Sequence, residues 1–325
     1  MKKLSLCMLI PVLALAVFIL FAPAAAEKTP EAEQPNEMTQ YLDDLRERIA
    51  AANEGDTILV KEGVYVWPKT DEPMLVKGKK NLTIRGEGDV YIFCTNLYVA
   101  PLYITDSDNI TVENMNFGHM VRNLPCQGPV VYSQDSTNVT IRNCVLHGSG
   151  FWAWHALECK NLLLENTAAC RCSHSQFRFV KSENVTIRRC FLAKNDDLAF
   201  RGSFKDPRGE VVFVWDTKDV VFEENLFFAN VNKWILLKDA KSPEFRGNTF
   251  AENSFRVPAI FLKDRLNLLA RLPEKGADTT VAELLSARKI WPNSDVRKAA
   301  KRYLAFMKVF EKTQRELDLP AEEKP

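Results

Sequence analysis

Three stretches of the chain, NVTIRNCVL at 138–146, NLLLENTAA at 161–169 and NVTIRRCFL at 184–192, repeat one template at a spacing of 23 residues. Within each copy the apolar residues alternate, as Val139 and Ile141 do, which is the period of a strand with one buried face. Strands this short cannot close a core alone, but stacked copies bury a continuous one.

Outward from this block the template recurs as NLTIRGEGDV from Asn81 and NITVENMNF from Asn109, then more weakly as DVVFEENLFF from Asp219 and SPEFRGNTF from Ser242. The successive spacings are 28, 29, 23, 23, 35 and 23, so some coils are lengthened by a loop, placed at Gly118–Gly128 and Ser203–Glu210. A period in this range is the mark of a solenoid. The recurring Asn suits a tight corner, where its side chain can bond the backbone or the Asn of the next coil.

Residues 54–263 are therefore assigned to an all-β parallel β-helix. Ahead of it, Tyr41, Leu42, Leu45, Ile49 and Ala52 mark one face of a helix within 39–53, placed to cap the open end of the stack. GDTILVKEGVY (55–65), together with the NVTI-type coils, resembles the pectin lyase-like superfamily of right-handed β-helices over about residues 39–263. The resemblance implies the right-handed fold but no single activity, because the superfamily contains lyases, hydrolases, epimerases and non-catalytic binding proteins. Residues 264–325 read as helical. Thr280 and Glu283 form a capping box before Val281, Leu284 and Leu285. Asn293 and Ser294 start a second helix carrying Val296, Ala299, Tyr303, Met307 and Phe310. These helices are expected to fold against the last coil, the alternative being that they bind another subunit.

Lys2 and Lys3, the apolar run Leu4–Phe21 interrupted by Pro11, and Ala24-Ala25-Ala26 read as a signal peptide over 1–26 with an Ala-x-Ala cleavage site. The Glu/Pro-rich residues 27–38 read as a linker. The expected location is periplasmic or secreted, with no stable membrane span after cleavage. Removing two lysines leaves 41 of the 43 basic residues against 42 acidic ones, and a nearly neutral chain names no nucleic-acid partner. Seven cysteines remain, an odd number without a small-domain framework, which points to buried thiols more than to disulfides.

The repeat also aligns side chains between coils. LYIT (102–105), VYSQ (131–134), WHAL (154–157) and FRFV (177–180) occupy equivalent positions, with Leu102, Val131, Trp154 and Phe177 inward and Tyr103, Tyr132, His155 and Arg178 outward. Carrying the count forward from Cys190 sets Phe200 inward and Arg201 outward beside Arg178. His174 and Asp197 are placed outward, with Gln176 on the same face. Trp152 and Trp154 are assigned to the core and Phe151 to the surface, where it could stack on a sugar.

This face suits an acidic polysaccharide or other glycan. Arg178 and Arg201 would hold a uronate carboxylate, His174 or His155 would accept the proton of the adjacent carbon, and Tyr132 would donate one to the leaving oxygen. The expected activity is β-elimination, with Asp197 nearby and Phe151 and Gln176 contacting substrate. The alternatives are a non-catalytic glycan-binding or structural β-helix of the cell envelope, and a hydrolase. Asn195-Asp196-Asp197 looks like the acidic doublet of β-helical polygalacturonases, but the Gly-His-Gly and Arg-x-Lys elements of that family are not recognisable. Cys170-x-Cys172-x-His174 is narrower than usual zinc spacing, so no metal site is assigned. The sequence requires no cofactor, and no ligand pattern supports Ca2+.

Overall fold

The computed structural model describes residues 37–67, 72–120, 128–148, 151–172, 174–194, 210–230, 234–241, 243–251, 253, 267–269, 285 and 290–317. Its strands are all parallel and stack as three faces of a β-helix. Face 1 contains Met74–Lys77, Leu102–Thr105, Val131–Gln134, Trp152–Leu157, Ser175–Val180, Glu210–Trp215 and Trp234–Lys238. Face 2 carries the repeated template, including Thr137–Arg142, Lys160–Glu165, Glu183–Arg188 and Lys218–Glu223. Face 3 carries the shorter strands that follow, Val145–His147, Ala168–Cys170, Phe191–Ala193 and Leu226–Phe228.

The corners explain the recurring Asn. Asn81, Asn109, Asn138, Asn161 and Asn184 all adopt left-handed backbone with φ between 54° and 56°, a region Asn tolerates better than most residues. Their side chains bond from coil to coil, with Asn109 donating to Asn81 Oδ1 and Asn138 to Asp108 Oδ1. Asn161 Nδ2 donates to Asn138 Oδ1 at 2.8 Å, and Asn184 Nδ2 donates to Asn161 Oδ1 at 2.8 Å. Inside the coils, hydroxyls and amides satisfy corner N–H groups that would otherwise be buried unpaired. The Cys159 and Ser182 backbone N–H groups donate to Ser182 Oγ and Thr217 Oγ1, and those of Cys190 and Asn225 donate to Asn225 Oδ1 and Asn248 Oδ1.

The last position of each face 2 strand adds a second register device. Arg85, Glu113, Arg142, Glu165, Arg188, Glu223 and Arg246 pair in that order across successive coils. Charge therefore alternates at every step, and a slip by one coil would place like charges opposite each other. Glu113 is buried and accepts from Arg85 and Arg142. Burial acts to raise its pKa, but the hydrogen bonds and charges of Arg142 and Arg85 outweigh that and hold the carboxyl below its ordinary value.

Helix α1 (Glu37–Ala51) buries Leu42, Leu45 and Ile49 on the first coil, and Tyr41 stacks on Tyr65 at 4.7 Å, as the capping role requires. The helix begun by Asn293 also forms. In α2 (Ser294–Glu316), the Asn293 side chain accepts from the N–H groups of Asp295 and Val296. Its position differs from expectation, because α2 lies along face 3 instead of on the last coil. Phe306 and Phe310 pack on Phe93 and His147, and Tyr303 on Phe191. The reason is that face 3 is apolar on both sides: Val145, Ala168, Cys170, Phe191, Leu226 and Phe228 point away from the core and need cover. Gly118 makes room for the helix, since a Cβ there would lie 2.9 Å from Phe306. The helix expected at Thr280–Leu284 lies outside the described residues. The six described cysteines are buried thiols.

The lengthened coil also corrects the sequence reading. The strand that pairs with Ser175–Val180 is Glu210–Trp215, and Phe213 stands opposite Arg178. The lengthening therefore falls between Lys194 and Glu210, ahead of this strand, and residues 195–209 lie outside the described residues.

The Asn ladder predicts a graded loss of stability. Asn161→Ala should cost about 1–3 kcal/mol, combining left-handed strain with two lost hydrogen bonds, whereas Asn161→Gly should cost less because Gly accepts the same φ. Urea midpoints of the two variants check the order, and equal losses would contradict a backbone contribution.

Candidate functional site

The outward side of face 1 brings together most of the polar residues selected from the sequence. Tyr103, Tyr132, His155, Arg178 and Phe213 occupy one cross-coil ladder, while Leu102, Val131, Trp154 and Phe177 are fully buried behind it. Parallel stacking forces this arrangement, because each residue sits over its equivalent at about 4.8 Å. Aromatic edges follow. Tyr103 meets Tyr132 at 4.8 Å and Tyr132 meets His155 at 4.8 Å, both edge-on. The Tyr103 hydroxyl donates to Gln134 Oε1 at 3.0 Å, and the Tyr132 hydroxyl donates to the same atom at 3.4 Å.

Arg178 is the centre of the group. Its guanidinium carbon lies 4.9 Å from the Trp152 ring and 5.5 Å from the Phe213 ring, contacts that favour a cation over an aromatic face. Its Nη1 is 3.3 Å from His155 Nε2. A guanidinium only donates, so Nε2 accepts and the ring proton of His155 belongs on Nδ1. His174 stacks on Phe151 at 5.4 Å, approaches Trp152 at 5.9 Å, and has Nδ1 3.2 Å from Ser175 Oγ.

Burial, reinforced by the positive charge of Arg178, pushes His155 down to about 3 and His174 down to about 4. Both rings are thus neutral at neutral pH. The Tyr132 hydroxyl is raised above its usual value, first by burial and then by Tyr103.

The remaining candidates separate. Gln176 is fully buried and donates to the Ala169 carbonyl at 3.2 Å and to Asn230 Oδ1 at 3.0 Å, so it points into the coil and not to a ligand. The cause is the bend at the start of these strands, where Ala153 and Trp154 are consecutive interior residues. The same bend turns Trp152 outward, against its assignment to the core. Asp197 and Arg201 lie outside the described residues, and the place expected for Arg201 beside Arg178 is taken by Phe213. Cys170 packs under α2 while Cys172 packs in the coil interior. Arg171 between them has left-handed backbone, so the two thiols do not share a face. Trp152, Phe213 and Trp215 were missed as surface residues. Phe213 was legible, since it precedes Asp219 by the same six residues by which Arg178 precedes Asn184.

Residues 131–269 match the family described as right handed beta helix region. This segment is a right-handed parallel β-helix. No curated protein sequence matches the chain. Among solved structures, a putative glycosyl hydrolase from Parabacteroides merdae is similar at 12% identity and a TM-score of 0.42, over 58% of this chain and 86% of that one. PfbA, a surface adhesin of Streptococcus pneumoniae, is similar at 13% identity and a TM-score of 0.42, over 67% and 77% of the two chains. A pectate lyase from Bacillus sp. N165, in complex with trigalacturonate, is similar at 10% identity and a TM-score of 0.40, over 81% and 90%. These likenesses assign no activity to this β-helix.

The histidines carry a pH prediction. An unfolded His titrates near 6.5, well above the folded values of about 3 for His155 and about 4 for His174. Between those values the unfolded chain binds more protons, so stability is complete above about pH 6.5 and falls as pH drops from there toward the folded values. His119 and His147, also lowered by burial, act in the same direction. The urea midpoint should decrease from neutral pH to mild acid, less so in His155→Gln, and a flat profile would contradict the buried neutral rings.

Proposed function

We propose that the outward side of face 1 binds an acidic glycan. The observation that carries this reading is Arg178, held between Trp152 and Phe213 in a strip that also presents Tyr103 and Tyr132, with His155 buried beneath. Aromatic faces suit the apolar faces of sugar rings, and a guanidinium suits a carboxylate in forked geometry. The reading includes export of the β-helix through the 1–26 signal peptide, so that it meets a polysaccharide outside the cytoplasm. Among the described residues no helix is long and apolar enough to cross a membrane.

A catalytic reading is favoured by the shared face of Tyr132, His155, His174 and Arg178. In β-elimination Arg178 would neutralise the uronate carboxylate, a neutral histidine would take the proton of the adjacent carbon, and Tyr132 would protonate the leaving oxygen. His155 already accepts from Arg178, so His174 is the better candidate base. Binding stands first because the second arginine of the carboxylate clamp is replaced in register by Phe213.

Affinity measurements on polygalacturonate, alginate and a neutral glucan test the binding reading. At least one acidic polymer should bind, and Arg178→Ala should weaken it by about tenfold, roughly 1.4 kcal/mol, the scale of one charge-assisted contact. Binding of the neutral glucan alone, or no effect of Arg178→Ala, would contradict it. Growth of unsaturated-uronate absorbance, lost in His174→Ala, would establish elimination, and its absence with every acidic polymer would leave binding alone.

A further inference from the structure

Two cross-coil ladders run along the outward side of face 1. The first contains His155, Arg178 and Phe213, and the second contains Leu157, Val180, Trp215 and Lys238. Neither contains Asp or Glu. The second ladder includes a large aromatic that water reaches, since Trp215 is 38% exposed. In the next coil, directly beside it, the Lys238 ammonium stands 4.8 Å from the Trp215 ring centroid. Trp215 is more exposed than Trp67, Trp152, Trp154 and Trp291, and it is partnered by the exposed Lys238.

We infer that Trp215 and Lys238 form a second subsite for the acidic glycan, engaging a sugar further along the same chain than the one at Arg178. This rests on the glycan reading above. The indole offers a stacking platform for a sugar ring, and the ammonium offers a point charge for its carboxylate. Lys238 is two coils and two strand positions from Arg178. Two coil spacings of about 4.8 Å and a two-residue rise of about 6.6 Å place the two backbone positions roughly 12 Å apart. That spacing suits successive sugars of one chain better than a single carboxylate. A longer chain can reach both cations, crossing the coils obliquely over Phe213, which is half-buried between them. Asp216 and Asp239 follow Trp215 and Lys238 at the corner, both with left-handed backbone, and mark the edge beyond which an anionic chain is no longer favoured.

The test compares short and long ligands on the full chain. Dimers and hexamers prepared from polygalacturonate and from alginate are titrated into the native protein, Trp215→Ala, Trp215→Phe, Lys238→Gln and Arg178→Ala. The expected result is that Trp215→Ala and Lys238→Gln each weaken a hexamer by about tenfold while leaving the corresponding dimer unchanged. Trp215→Phe, which keeps an aromatic platform, should retain most of the hexamer affinity and serves as the control for folding. Hexamer affinity unchanged in both variants, with Arg178→Ala still weakening it, would overturn the second subsite and leave the glycan reading standing. Equal weakening of dimer and hexamer would overturn it as well. No binding of any of these oligomers to the native protein would overturn the glycan reading itself.

Discussion

The constraint on which the whole molecule depends is that equivalent residues of successive coils sit directly over one another. Stacking at strand spacing pairs every backbone group along the coil axis, but only if each corner turns at the same place. Left-handed residues at the corners achieve that turn, and the Asn side chains then bond from coil to coil at the same height. The alternating Arg and Glu ladder at the end of face 2 reinforces the register by charge. A slip of one coil would oppose like charges, and a slip of one residue would part the corner Asn side chains, so the two devices specify the stack together.

The ladder of Tyr132, His155, Arg178 and Phe213 inherits its geometry from this stacking. Arg178 lies between rings from the preceding and following coils because its strand lies between theirs. Face 3 has a different fate although it obeys the same register. Its outward residues are apolar, so α2 covers them, and Phe306 enters where Gly118 carries no side chain. A ladder of polar and aromatic residues thus becomes a surface, whereas a ladder of apolar ones becomes a second core.

The coils, the inward Leu102, Val131, Trp154 and Phe177, the outward Tyr103, Tyr132, His155 and Arg178, and the capping helix were legible because each follows from periodicity or from a corner residue. What escaped were departures from the period. At the bend before Trp154, two consecutive residues enter the core, which sent Gln176 inward and Trp152 outward. In the lengthened coil, a forward count from Cys190 crossed the insertion and assigned Arg201 a place that belongs to Phe213, while a backward count from Asp219 stays within one strand. The resting place of α2 had a signal in the triplets VLH, AAC, FLA and LFF of face 3. They are apolar at both outer positions apart from His147, but the strand period alone does not say what covers them.

The central claim is that face 1 is a ligand-binding surface because the register gathers Trp152, His155, Arg178 and Phe213 there. Amide hydrogen exchange with and without a bound acidic oligosaccharide tests it most directly. The account predicts slowed exchange in Trp152–Leu157, Ser175–Val180 and Glu210–Trp215, with Thr137–Arg142, Lys160–Glu165 and Glu183–Arg188 of face 2 unchanged. Protection confined to face 2, or a bound ligand that leaves all three face 1 strands unprotected, would contradict it.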